Sequence, residues 1–112
     1  MTAYCLFDIK DIHDDEKMSR YQQEVVPLVE SMGGRYVVIG GPWEVVEGAW
    51  RPAFPVMITF PDMATAESWY TSDGYRPLLE LRQQAATADA VFFDSSGAEA
   101  HFADEVMAEA GR

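Results

Sequence analysis

Arg82 is the side chain whose setting most needs an explanation. It falls on one helical stripe with Leu78, Leu79, Ala85 and Ala86, so a guanidinium stands on an otherwise apolar face. A lone buried charge is costly, and a guanidinium only donates, so an acceptor is required. A carboxylate or enolate oxygen of a ligand meets that need. So does an internal ion pair with Asp8 or Glu47, or a side chain that snorkels to water. Asp8 is the nearest candidate base. It shares a face of the first apolar run with Tyr4 and Leu6, and a carboxylate held there suits proton abstraction. Its plainer alternatives are a strand-end acid that reaches water or one that pairs with Arg82. His13, between that run and the first helical stretch, is a candidate proton shuttle or a capping histidine. His101 reads as a surface residue. Glu47 either positions a ligand or is a solvated strand-end acid.

Aromatic residues are the other candidate lining. Tyr36, Trp43, Trp50 and Tyr75 suit the walls of a pocket for a flat ligand, and they equally suit a core or an interface. Trp69 reads as core. Several signatures are missing. There is no His-Glu-x-x-His pair, no phosphate loop, no dinucleotide fingerprint and no Gly-x-Ser-x-Gly elbow. Neither a metal nor a cofactor is implied. The single cysteine, Cys5, lies in an apolar run near Asp8 and Asp11, where a thiolate is disfavoured.

The elements that must position these residues follow from periodicity. Residues 3–9 read as a strand with Tyr4, Leu6 and Asp8 on one face and Cys5, Phe7 and Ile9 on the other. Asp14 and Asp15 can cap a helix over about residues 14–32, carried by Met18, Tyr21, Val25, Leu28 and Val29, with Pro27 expected to bend it. Gly33-Gly34 ends it. Residues 35–39 are strand-forming. Gly40-Gly41-Pro42 then breaks a pattern that resumes at Trp43, which leaves a tight hairpin or one bulged strand. Residues 54–60 form the next strand. Asp62 caps a helix bearing Met63, Ala66, Trp69 and Tyr70, and Ser72 or Asp73 caps a second run through Ala86. Residues 90–94 form the last strand. The order is βαββαβ: an α+β, ferredoxin-like antiparallel sheet with helices on one face, spanning residues 1–95. Residues 96–112 form a separate extension, a short helix or a frayed tail, with Phe102, Val106 and Met107 as its few large apolar groups.

Helices can cover only one side of such a sheet. Yet Leu6 opposes Phe7, Val37 opposes Val38, and Phe92 opposes Phe93. A homodimer, sheet against sheet, is the expected cover, with the tail as the alternative.

The chain has 112 residues, which fits one domain, and its 48% hydrophobic content supports a folded core. Nineteen acids against eight bases give a net charge of −11. That field disfavours nucleic acid and anionic membranes as partners and favours solubility. No stretch approaches the ~20 apolar residues of a membrane span. No basic and apolar leader opens the sequence, so a cytoplasmic location is expected.

Several stretches in order resemble the family known as domain of unknown function 1330. They are Gly33-Gly34-Arg35-Tyr36, Gly40-Gly41 and Glu47-Gly48-Ala49-Trp50-Arg51-Pro52, then Phe60-Pro61, Trp69-Tyr70, Tyr75-Arg76-Pro77-Leu78 and Leu81-Arg82. The likeness covers about residues 3–95, and it is specific as a set, not piece by piece. It implies membership of the dimeric α+β barrel superfamily, which includes cofactor-free monooxygenases, polyketide cyclases, lactone isomerases and haem enzymes. It also favours the bulged strand at Gly40-Pro42. Membership implies a fold and a dimer and does not imply one activity. Two functions follow as expectations. One is a cofactor-independent enzyme for proton-transfer chemistry on a small organic substrate, with Arg82 holding an anionic oxygen and His13 or Asp8 moving the proton. The other is a non-catalytic ligand-binding or interaction module in which Arg82 is structural.

Overall fold

A computed structural model describes the backbone of residues 1–110 and the side chains through residue 103. Strand β1 (Ala3–Ile12) leads into helix α1 (Asp15–Ser31), and strands β2 (Arg35–Ile39) and β3 (Pro55–Phe60) follow. Helices α2 (Met63–Tyr70) and α3 (Arg76–Ala85) precede strand β4 (Ala86–Asp94), and α4 (Ser96–Ala110) comes last. The four strands form one antiparallel sheet in the order β2-β3-β1-β4. This is the expected ferredoxin-like arrangement.

Local chemistry sets the boundaries. Asp14 caps α1 by accepting the Lys17 amide at 3.0 Å, and Asp15 and Glu16 complement the dipole of its first turn. Pro27 lies on the exposed side of α1, and the helix runs on through it to Ser31. Gly33 takes a left-handed φ of 91°, which lets the Gly34 amide reach back to the Val29 carbonyl at 2.8 Å. Asp62 caps α2 through the Thr65 amide at 2.7 Å. The Ser72 hydroxyl accepts the Tyr75 amide just ahead of α3, while Asp73 only pairs with Arg76 at the surface.

Two expectations change. Residues 40–54 form neither a hairpin nor a bulged extension of β2. They make a long loop whose neck is closed by Gly40 donating to the Pro55 carbonyl at 2.7 Å. Gly40 needs φ 82°, a conformation that ends a strand. The irregularity in β2 lies earlier, between Tyr36 and Val38. The last strand also begins four residues sooner than periodicity suggests. Ala86 and Thr87 pair with Ile12 and Asp11 across a shift in β1, so Ala86 belongs to β4 and not to the helix.

The sheet's two faces differ. Ala3, Cys5, Phe7 and Ile9 of β1 point to the helix side and are buried, with Ile58 and Phe60 beside them. Trp69 is the hub of that core. It is fully buried and packs against Phe60, Tyr75, Phe7 and Phe92 with ring centroids 4.5 to 6.4 Å away. The other face carries Tyr4, Leu6, Met57, Val91 and Phe93 in facing register. No helix among the described residues covers it, and Val91 and Phe93 are 51% and 44% exposed. In α4, Phe102 is also exposed, whereas Val106 and Met107 have side chains outside the described residues. No helix among the described residues is long and apolar enough to cross a membrane.

The Gly33-Gly34 turn brings α1 and β3 very close. A Cβ on Gly34 would stand 2.5 Å from Val29 Cγ1 and 2.7 Å from the Phe60 ring, both in the packed core. Gly34→Ala is therefore expected to destabilise the fold by about 1–3 kcal/mol, read as a lower urea midpoint with an unchanged slope. Burial pushes the Cys5 thiol up to about 12, well above an unfolded thiol near ~8.5. Between those values the unfolded chain holds fewer protons than the folded one, so stability falls as pH rises. Denaturation midpoints should drop from pH 9 upward, by about 1.4 kcal/mol per pH unit at most from this group, and Cys5→Ala should remove that part.

Candidate functional site

The helix side of the sheet is filled under α2 and α3 and hollow under α1. A cavity of about 330 Å³ lies between α1 and the half of the sheet formed by β2 and β3. Phe7 and Ile9 form its floor, Val25 and Val26 of α1 its roof, and Ile39, Phe54 and Val56 its far wall. The spacing of Met18, Tyr21, Val25 and Val29 aims one stripe of α1 at the sheet, and Met18, Tyr21 and Val25 of that stripe line the hollow.

One end of this apolar space is polar. Arg82, 5% exposed, extends from the last turn of α3 and places its guanidinium carbon 5.6 Å from the centre of the Phe7 ring. No carboxylate forms an ion pair with it among the described residues, and its Nε has no hydrogen-bond partner. Burial works against the charged guanidinium, but Tyr75 and Tyr21 favour it, Tyr75 through a hydrogen bond as well, and its pKa is raised. The Tyr21 and Tyr75 hydroxyls lie 2.8 Å apart. Burial raises the pKa of Tyr21, and the adjacent Tyr75 adds to the effect. Tyr36, on the β2 wall, is raised by burial and then by Tyr75 and Glu30. Tyr75 is raised by burial against the pull of Arg82. These phenols keep their protons, so they can donate or accept hydrogen bonds but do not act as bases at neutral pH.

The structure brings some of the expected residues together and separates others. Arg82 and Tyr36 line the cavity, and Tyr75 stands behind its polar end. Asp8 is on the opposite face of the sheet and meets neither Arg82 nor the cavity. Its Oδ1 accepts the Ala53 and Phe54 amides at 2.9 and 3.1 Å, so it fastens the end of the long loop. The Asp8–Arg82 pair, one of the alternatives the sequence offers for Arg82, does not form because alternate residues of a strand face opposite ways, and Arg82 meets the Phe7 side. His13 is exposed. Its ring Nε2 lies 2.9 Å from the Gln84 carbonyl and its amide donates to Ala85, so it ties the β1–α1 turn to the end of α3. Glu47, Trp43 and Trp50 sit on the exposed loop and do not line this cavity. Trp50 instead lies over Leu6, Asp8 and Val91 on the open face. Glu47 forms no ion pair with Arg82.

Tyr21, Gln22 and Phe54 are lining residues that periodicity alone did not mark. A signal existed for Tyr21: a hydroxyl on an otherwise aliphatic helical stripe needs a partner when buried.

Comparison with known proteins follows from this geometry. The family described as Domain of unknown function (DUF1330) matches residues 2–96. No curated protein matches the chain. Among solved structures, a protein of unknown function from Rhodopseudomonas palustris is similar with a TM-score of 0.64 at 17% identity, covering 82% of this chain and 80% of that one. A dimeric ferredoxin-like protein of unknown function from Jannaschia sp. has a TM-score of 0.66 at 11% identity, covering 84% and 99%. SnoaB from Streptomyces nogalater, a cofactor-independent oxygenase, has a TM-score of 0.56 at 10% identity, covering 83% and 89%. At these identities the likeness shows the fold.

Removing the Asp8 carboxylate leaves two loop amides without their acceptor. Asp8→Ala is expected to lower stability by about 1–3 kcal/mol and to raise hydrogen exchange at Ala53 and Phe54 selectively. Unchanged exchange at those two amides would show that the loop is held by other contacts.

Proposed function

The chain belongs to the DUF1330 family, and on that premise we propose that it works as a homodimer that binds a small organic molecule in the cavity under α1. The observation that carries this reading is the buried guanidinium, without a carboxylate partner among the described residues, at one end of a largely apolar space. A core built only for stability has little reason to hold a cation without a counter-charge, whereas an anionic ligand oxygen supplies one. The dimer is supported by the apolar face carrying Leu6, Val91 and Phe93 and by the dimeric assembly of the Jannaschia protein. Two copies related by a two-fold axis would bury that face on each other. A cytoplasmic location fits a chain whose single cysteine is a buried thiol.

Chemistry at this cavity is of the cofactor-independent, proton-transfer kind: isomerisation, cyclisation or oxygenation of a bound enolate. The fold it shares with SnoaB supports this. Arg82 holds the anionic oxygen, Tyr36 and Tyr75 shape the polar end, and the apolar walls exclude water. A second reading, a non-catalytic binding module, is favoured by the lining itself. Among the described residues no carboxylate, imidazole or thiol lines the cavity, so proton abstraction falls to the substrate's own acidity or to water.

Sedimentation of the full chain is expected to give a dimer. A screen of small organic molecules by thermal shift is expected to yield a ligand that raises the midpoint, since binding at a hundred times Kd stabilises by about 2.7 kcal/mol. Val26→Trp, which fills the cavity roof, should abolish the shift and leave the dimer intact. A ligand that still stabilises that variant binds elsewhere, and the cavity reading fails. Turnover of the ligand then separates enzyme from binding module.

A further inference from the structure

The polar end of the cavity is built from donors. Arg82 can only donate, and it lines the cavity beside Tyr21. The Tyr21 hydroxyl lies 2.8 Å from that of the fully buried Tyr75, and either of the two can donate in that bond. When Tyr75 donates, the Tyr21 proton is free to turn to an oxygen bound in the cavity. The guanidinium has no carboxylate partner among the described residues, and its Nε is without a hydrogen-bond partner. A cation and a hydroxyl thus line one largely apolar space, and hydrogen bonds to an ionised oxygen are the stronger kind.

Resting on the cavity reading above, we infer that the ligand is a monoanion with a flat apolar body, its oxyanion held jointly by Arg82 and the Tyr21 hydroxyl. A single charge follows from the lining, where Arg82 is the one cation among the described residues and the other walls are largely aliphatic. A phosphate or a dicarboxylate would carry charge that nothing there neutralises, inside a chain of net charge −11. A polyol would lose its water against Val25, Val26, Ile39 and Val56 without replacement. A space of about 330 Å³ lies at the small end of ligand pockets and suits one or two rings. The oxyanion is a carboxylate or an enolate, whose lone pairs can take both donors at once.

Titration calorimetry of the full chain with 2-naphthoate, 2-naphthamide and 2-naphthylmethylamine tests this, because the three share a body and differ in charge. The carboxylate is expected to bind at least tenfold more tightly than the amide, and the amine not at all. Tyr21→Phe keeps the ring and is expected to cost about tenfold for the carboxylate with little change for the amide. Arg82→Gln should erase the preference between the two. Equal binding of carboxylate and amide to the native chain overturns the monoanion and leaves the cavity reading standing. Unchanged carboxylate affinity in Tyr21→Phe overturns the joint hold. Failure of both the carboxylate and the amide to bind overturns this inference together with the reading it rests on.

Discussion

The packing of Phe7 against both Trp69 and Arg82 organises the helix side of this sheet. Trp69 meets the ring in a T-shaped contact and gathers Phe60, Tyr75 and Phe92 into a filled aromatic core. The same ring lies under the Arg82 guanidinium and forms the floor of a hollow. A cation over an aromatic face keeps part of the stabilisation that water would give it, but it does not satisfy the N–H groups. Phe7 thus makes burial of the charge more tolerable without supplying an acceptor for its N–H groups, and Nε has none. The tyrosines follow from this arrangement. They sit where the edge of the aromatic core meets the guanidinium, and burial keeps them protonated.

A second constraint comes from counting layers. Three helices, α1, α2 and α3, serve one face of a four-stranded sheet. From Ala3 to Ile9, the central strand β1 is apolar on both faces except at Asp8. Asp8 offsets part of the cost of burial by accepting two backbone amides at Oδ1, so this acid holds chain and not solvent, while its Oδ2 is left without a partner. Trp50 leans over the same end of the face. What is left between is an apolar band of Tyr4, Leu6, Val91 and Phe93, with the Tyr4 and Phe93 rings stacked at 5.9 Å.

The element order, the strand faces and the caps at Asp14 and Asp62 were legible because each rests on local periodicity or on a single side chain. Loop 40–54 was not, since Val45 and Val46 look strand-like in sequence and only the left-handed Gly40 and the neck to Pro55 decide against pairing. The early start of β4 was missed because Ala86 and Ala88 fit either periodicity, and pairing with β1 settles the choice. Arg82 stood out as a charge on an apolar stripe, and it does line the cavity. Its partners did not stand out. Asp8 and Arg82 are both rare polar groups in apolar runs, and only the parity of the strand relative to α3 shows that they face apart. Tyr21 looked like packing because a hydroxyl's direction is not written in helical spacing.

The Asp8 tether reaches through the sheet. Its carboxylate acts on the open side, while the residue it grips, Phe54, turns its ring into the hollow on the other and abuts Gly40 at the loop neck. One residue thus belongs at once to the loop that bears Trp50 and to the wall of the hollow, so the two sides of the sheet share a single hinge point.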